Sequence, residues 1–306
     1  MLNKINIGLL DFGLRTNEMN SLVKIKDLCD YAIKADDLGF SRLWLGEHFS
    51  SSPRVAWTDP TPLISMLAMM TRNIRIGTGG ILLKVHNPLQ IATHFKLFNN
   101  LFQNRIDLGF ANGGSFNDKI IELSDSINKN FDDNYRQVLD LLRNENKYFE
   151  EGVVLPPFGG TLPQIWSMSS SSSGYKRALD LKTNFIRSIF HTGADRVPQK
   201  ELLIEFKEKF FLKYGIEPNV SLAISGCCQK SFQKAKSIFD SLTLNAELHF
   251  VGDANYFYDK IMMLCEEFGV NEIIFKDIAK KTSDRDESIE LIAEMFCLQN
   301  DFVFQN

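Results

Sequence analysis

Eight times along the chain, a short β-branched or aliphatic run gives way to an amphipathic helical run, and this alternation constrains the fold more than any other feature. The strand-like runs fall at residues 5–10, 41–45, 74–78, 105–110, 164–168, 184–190, 220–225 and 272–275. Between them, apolar side chains recur at three- and four-residue spacing, as in Leu22, Ile25, Leu28, Cys29, Ala32 and Ile33, which predicts helices packed on one face. Gly39 and Gly269 stand where a helix would end in a left-handed residue. Strand-then-helix units in unbroken succession demand a parallel sheet covered by helices. Eight of them in 306 residues favour an α/β (β/α)8 TIM barrel, a single domain over 1–306, above an open doubly wound sheet. The units share rhythm but no common sequence, which excludes a solenoid.

Charge and cysteine usage narrow the class further. With 34 Lys and Arg against 38 Asp and Glu, the net charge is −4 and the basic residues are scattered, so no nucleic-acid or membrane-surface binding is expected. No apolar stretch approaches the roughly 20 residues of a membrane helix. The chain enters strand-like sequence directly, without the shape of a signal peptide. The five cysteines (Cys29, Cys227, Cys228, Cys265, Cys297) are odd in number and have no metal-ligand spacing, so they read as reduced thiols in a cytoplasmic protein without a metal.

A barrel of this kind carries its chemistry where the strands end. There the sequence places Asp11, Glu47, His48, Gly79, Gly80, Asn112, residues 169–173, His191, Cys227, Cys228 and Lys276. His48 suits proton transfer near neutral pH, or it bonds Glu47 or a loop carbonyl. Gly79 and Gly80 let backbone approach a flat ligand, or they make a tight turn. Ser169, Ser170, Ser171, Ser172 and Ser173 join a strand to a helix with no spare length. Their hydroxyls and the helix N–H groups suit an anion, and one of them alone would suffice as a cap. Lys276 stands where a Schiff-base lysine could sit, although Asp277 beside it is expected to pair with it. His86 and His191 are candidates to line the site, whereas Cys227 and Cys228 are expected to be buried and inert.

Several of these segments together resemble the bacterial luciferase-like, flavin-dependent monooxygenase family. The likeness runs through residues 38–48 (LGFSRLWLGEH), 74–83 (IRIGTGGILL), 87–89 (NPL), 104–110 (NRIDLGF), 166–173 and 284–288 (DRDES). It implies a TIM barrel that holds reduced FMN, or in some branches a deazaflavin coenzyme, at the C-terminal mouth. It makes His48 the catalytic histidine and places a non-prolyl cis peptide at Gly79-Gly80 against the flavin ring. Ser169, Ser170 and Ser173 would take the phosphate. Asn112 stands where many relatives carry a phosphate-binding arginine, Phe49 replaces a second histidine, and the connection from 242 to 250 is shorter than the mobile segment of many relatives.

The activity so implied is oxidation of a small organic or natural-product-type substrate by reduced FMN and O2, through a flavin C4a-peroxide. Trp44, Phe49, Trp57, Phe110 and Trp166 would form apolar pocket walls, with His191 among the lining residues. Without a Gly-x-Gly-x-x-Gly fingerprint, reduced flavin would come from a separate NAD(P)H-dependent flavin reductase. A homodimer or heterodimer fits the same resemblance. Two rival readings share the fold: a deazaflavin-dependent hydride transferase, and a non-catalytic flavin-binding protein or partner subunit.

Overall fold

The computed structural model describes residues 4–16, 20–49, 54–113, 117–124, 130–191, 200–242 and 248–301. Within them the strands are β1 (Asn6–Asp11), β2 (Arg42–Leu45), β3 (Arg75–Ile81), β4 (Ile106–Ala111), β5 (Gln164–Ser169), β6 (Asn184–Ser188), β7 (Val220–Cys228), β8 (Phe250–Gly252) and β9 (Glu272–Asp277). Each pairs parallel with its neighbours. The ring runs β1 to β7 in sequence order and closes through β7–β9 and β9–β1. The eight strands expected from the sequence are therefore the staves of a closed barrel. The short β8 is an addition: it pairs with Gly226, Cys227 and Cys228 at the far end of β7, outside the ring.

The helices are α1 (Ser21–Asp37), α2 (Thr61–Met70), α3 (Pro88–Leu101), α4 (Asp118–Leu123), α5 (Phe131–Arg143), α6 (Glu145–Glu150), α7 (Ser173–Leu181), α8 (Lys200–Tyr214), α9 (Phe232–Asp240), α10 (Ala254–Phe268) and α11 (Thr282–Met295). Several begin where a side chain can satisfy an exposed N–H: Asn20, Asn87, Asn130, Ser231 and Asp253 each cap a first turn. Gly39 and Gly269 follow their helices with φ of +85° and +59°, the left-handed geometry that their positions in the sequence suggested. The short helices α4 and α6 carry too few turns to show a period in the sequence.

Strand parity sorts the side chains. Odd and even positions alternate between the barrel interior and the helix layer. The interior of the lower barrel is a charged network: Arg42 donates to Asp107 (2.7 Å) and Glu272 (2.8 Å), Arg75 donates to Asp107 (2.6 Å), and the Ser221 hydroxyl donates to Glu272 (2.5 Å). One layer up, Trp44 and Trp166 meet edge to face at 5.8 Å, with the Arg42 guanidinium 4.7 Å over the Trp166 ring. Among the described residues, this polar plug and aromatic floor fill the barrel beneath its mouth.

Candidate active site

A cavity of about 650 Å³ opens at the C-terminal ends of the strands, the size of a site for a cofactor-sized ligand. Strand ends and the loops after them build it. β2 leads into Glu47, His48 and Phe49, β3 carries Gly79 and Gly80, and β4 leads into Asn112 and Gly113. β5 leads into Ser169, Ser170, Ser171 and Ser173, and β6 leads into Phe190 and His191. The diglycine and the serine turn, 89 residues apart in the chain, thus face one cavity. The Gly79-Gly80 bond is cis.

His48 is open to solvent through the cavity, with its ring edge-on to Phe12 at 4.7 Å. Crowding by the protein wall, then the nearby Lys276 ammonium, hold its pKa below the ordinary histidine range. Glu47 does not engage His48. Its buried carboxylate accepts the Leu82 N–H (3.0 Å) and bonds His86 Nε2 (2.6 Å), which ties the loop after β2 to the exit of β3. Burial pushes the Glu47 pKa up. His86 therefore serves this clamp and does not line the cavity, whereas His191 does, with Nδ1 at 2.6 Å from the Ser188 hydroxyl and its ring stacked on Phe190 at 4.3 Å.

The serine turn is organised by its own hydroxyls. Ser169 Oγ accepts the Ser171 N–H (3.0 Å), and Ser171 Oγ lies 2.9 Å from Ser173 Oγ. No side chain caps α7, although Ser172 is at its N-cap, so the alternative reading of the run as a simple helix cap does not hold. Ser169, Ser170, Ser171 and Ser173 instead line the cavity at the start of α7, a hydroxyl-rich helix start of the kind suited to a phosphate. Arg177, one turn further along α7, also lines the cavity. The sequence reading missed it because nothing before the fold is known ties that position to the serine turn.

Three of the expected pocket walls lie elsewhere. Phe110 has the outward parity of β4 and packs on Tyr135 at 4.3 Å, while its neighbour Ala111 lines the cavity. Trp166 points inward but one layer too low, beneath Met168. Trp57 folds over Gly13 and donates its indole N–H to the Gly46 carbonyl (3.0 Å), so it belongs to the packing around the first loop. Trp44 and Phe49 do line the cavity, joined by Leu10, Phe12, Met168, Ile186, Ala223 and Ile274.

Lys276 and Asp277 do not pair as expected, because successive strand residues point to opposite sides. Lys276 turns into the barrel, its ammonium 4.9 Å from the Phe12 ring and 4.6 Å from Phe190. Asp277 turns outward and accepts the Ala279 N–H at 2.8 Å. Burial raises the thiol of Cys227 to about 12 and that of Cys228 further, which matches the inert pair expected. Among the described residues no group of His, Cys, Asp and Glu could hold a metal ion, and no helix is long and apolar enough to cross a membrane. Residues 243–247, within the connection that is shorter than in many relatives, lie outside the described residues.

Comparison with known proteins agrees with this architecture. Residues 5–258 match the family model described as luciferase-like monooxygenase. A luciferase-like monooxygenase of Escherichia coli K12 is 31% identical over 162 residues, 51% of this chain and 47% of that protein, so the match spans about half of the relative's length. Among solved structures, apo-MsnO8 superposes with a TM-score of 0.83 at 20% identity, covering 96% of this chain and 98% of that one. The FMN complex of the oxygenating constituent of 3,6-diketocamphane monooxygenase from Pseudomonas putida gives 0.76 at 17% identity, covering 95% and 98%. At such identities the structures speak for the fold alone. The family model covers most of the chain, and the protein belongs to the luciferase-like monooxygenase family.

Proposed function

We propose that the protein is a flavin-dependent monooxygenase that uses reduced FMN and O2 to oxidise a small organic substrate, the flavin being reduced by a separate NAD(P)H-dependent reductase. The observation that carries this reading is the convergence of a side-chain-free diglycine, a hydroxyl-rich helix start and a histidine on one cavity whose floor is apolar. The residues fit the group: Gly79 and Gly80 offer bare backbone to a planar ring, and Ser169, Ser170 and Ser173 offer donors to a phosphate. When bound, reduced FMN supplies the electrons with which O2 is activated. The protein does the rest. Leu10, Phe12, Trp44, Ile186, Phe190 and Ile274 keep water from the reacting centre. His48 accepts or returns a proton there, and its lowered pKa keeps the imidazole neutral at pH 7. Asn112 supplies a neutral polar contact at the rim. The five free thiols suit a reducing compartment such as the cytoplasm.

Oxygen consumption with chemically reduced FMN, measured beside a parallel titration with a reduced deazaflavin coenzyme, tests the reading. Tight binding of FMN with oxygen uptake coupled to substrate oxidation is the expected result. Binding of the deazaflavin alone, with hydride transfer and no oxygen uptake, would assign the protein to the transferase branch. Flavin binding that never leads to substrate turnover would make it a carrier or partner subunit.

A further inference from the structure

Resting on the cavity being a flavin site, we propose that Arg177 on α7 supplies the positive charge that recognises the flavin phosphate. Asn112 faces the cavity and carries no charge. Among the described residues, Arg177 is the one lysine or arginine that lines the cavity. It stands four residues after Ser173, so both side chains lie on the same face of α7, the face turned to the rim.

The guanidinium is held before any ligand arrives. Its Nε donates to Asp132 Oδ1 at 2.6 Å, and its carbon lies 5.1 Å from the centre of the Phe131 ring. Both partners come from the first turn of α5, so two helices converge to orient one side chain. Nε is committed to Asp132, while the two terminal amino groups make no hydrogen bond among the described residues. They remain for a ligand. A guanidinium fixed in this way presents two parallel donors to two phosphate oxygens, and the rotamer entropy of a long side chain has already been lost. Asp132 offsets part of the positive charge, but its carboxylate is half exposed, so solvent screens it. Glu47, the other charged residue on the cavity wall, is occupied by His86 and the Leu82 N–H.

The test compares FMN with riboflavin, which has the same ring and no phosphate. Calorimetric titrations with each flavin, oxidised and anaerobically reduced, are run on the wild type, Arg177→Gln, Arg177→Lys and Asp132→Ala, with thermal melts to confirm folding. Arg177→Gln should weaken FMN binding roughly ten- to a hundredfold and leave riboflavin within about twofold, the worth of a charge-assisted hydrogen-bond pair. Arg177→Lys should recover part of the loss. Asp132→Ala, which frees the guanidinium, should weaken FMN alone by a smaller factor. The salt dependence of FMN binding should be smaller in Arg177→Gln than in the wild type. Equal losses for FMN and riboflavin would show a structural role and overturn the inference, as would unchanged FMN affinity in both Arg177→Gln and Asp132→Ala. A wild type that binds both flavins equally overturns it too while leaving the flavin reading intact. A wild type that binds no flavin at all removes that reading and the inference with it.

Discussion

His48 shows how the protonation of a single side chain is set by its surroundings. In water an imidazole is divided between two protonation states near pH 6.5. Here the enclosing wall and the Lys276 ammonium disfavour the charged form, so at pH 7 the ring is neutral and ready to accept a proton. A pH–rate profile governed by His48 should therefore inflect on the acid side of about 6.5. Replacing it with Ala should slow turnover roughly 10²- to 10⁴-fold, with FMN affinity nearly unchanged. Steady-state kinetics beside a flavin titration check both halves, and unchanged turnover would reject the role. The residue itself was legible from its place after a strand. Its isolation from Glu47 was not, because adjacent residues of a loop diverge according to backbone angles that only the folded chain sets.

At the scale of elements, the junction of β5 and α7 matters most. Gly174 sits so close to the strand end that an added Cβ would fall 2.2 Å from Ser169 Cβ. No side chain fits there, and this lets the first turn of α7 reach the serine hydroxyls. Gly174→Ala should push the helix start away from β5 and weaken FMN binding by roughly tenfold, since a few tenths of an ångström degrade several hydrogen bonds at once. Riboflavin binding should fall less. Equal FMN affinity in titration would show that the close approach is dispensable. The place of the serine run at a cavity was readable because a strand and a helix left no room for a linker. Arg177 was not legible from the sequence: Asp132, which holds its guanidinium, lies 45 residues earlier in the chain.

For the whole molecule, the contacts that hold the ring are spread across its ends. Asp11 at the end of β1 accepts from Lys24 in α1 (3.0 Å), Arg285 in α11 (2.7 Å) and the Gly13 N–H (2.7 Å), binding the first and last helices to the first strand. Lys24 and Arg285 hold the Asp11 carboxyl well below the usual carboxylate range, against a burial that opposes them, so this support is present above the ordinary aspartate pKa and lost as pH falls. Asp277 works in the opposite sense. Burial raises its pKa to about 7, so the folded state holds its proton more tightly than the unfolded chain does. Its contribution is full below about pH 4 and lost as pH rises toward 7. Asp277→Asn cannot ionise and should stabilise the protein at pH 8, by on the order of 4 kcal/mol, with the gain shrinking toward pH 4. Thermal melts across that range decide it, and a gain that is flat with pH would mean the carboxyl is not buried as described.

The sequence by itself determined the barrel and the rim at which its cavity opens. Strand and helix periods are local, set by which side chains must leave water every second or every third to fourth residue, and eight repeats of one unit permit few closures. The end of each strand then names the residues at the mouth. The tertiary structure decided which of those residues meet. Parity and layer height sent Phe110 outward and Trp166 into the floor. Helix packing brought Arg177 to the rim, and a distant histidine claimed Glu47. These outcomes depend on distances between elements far apart in the chain, and no local pattern of residues encodes such a distance.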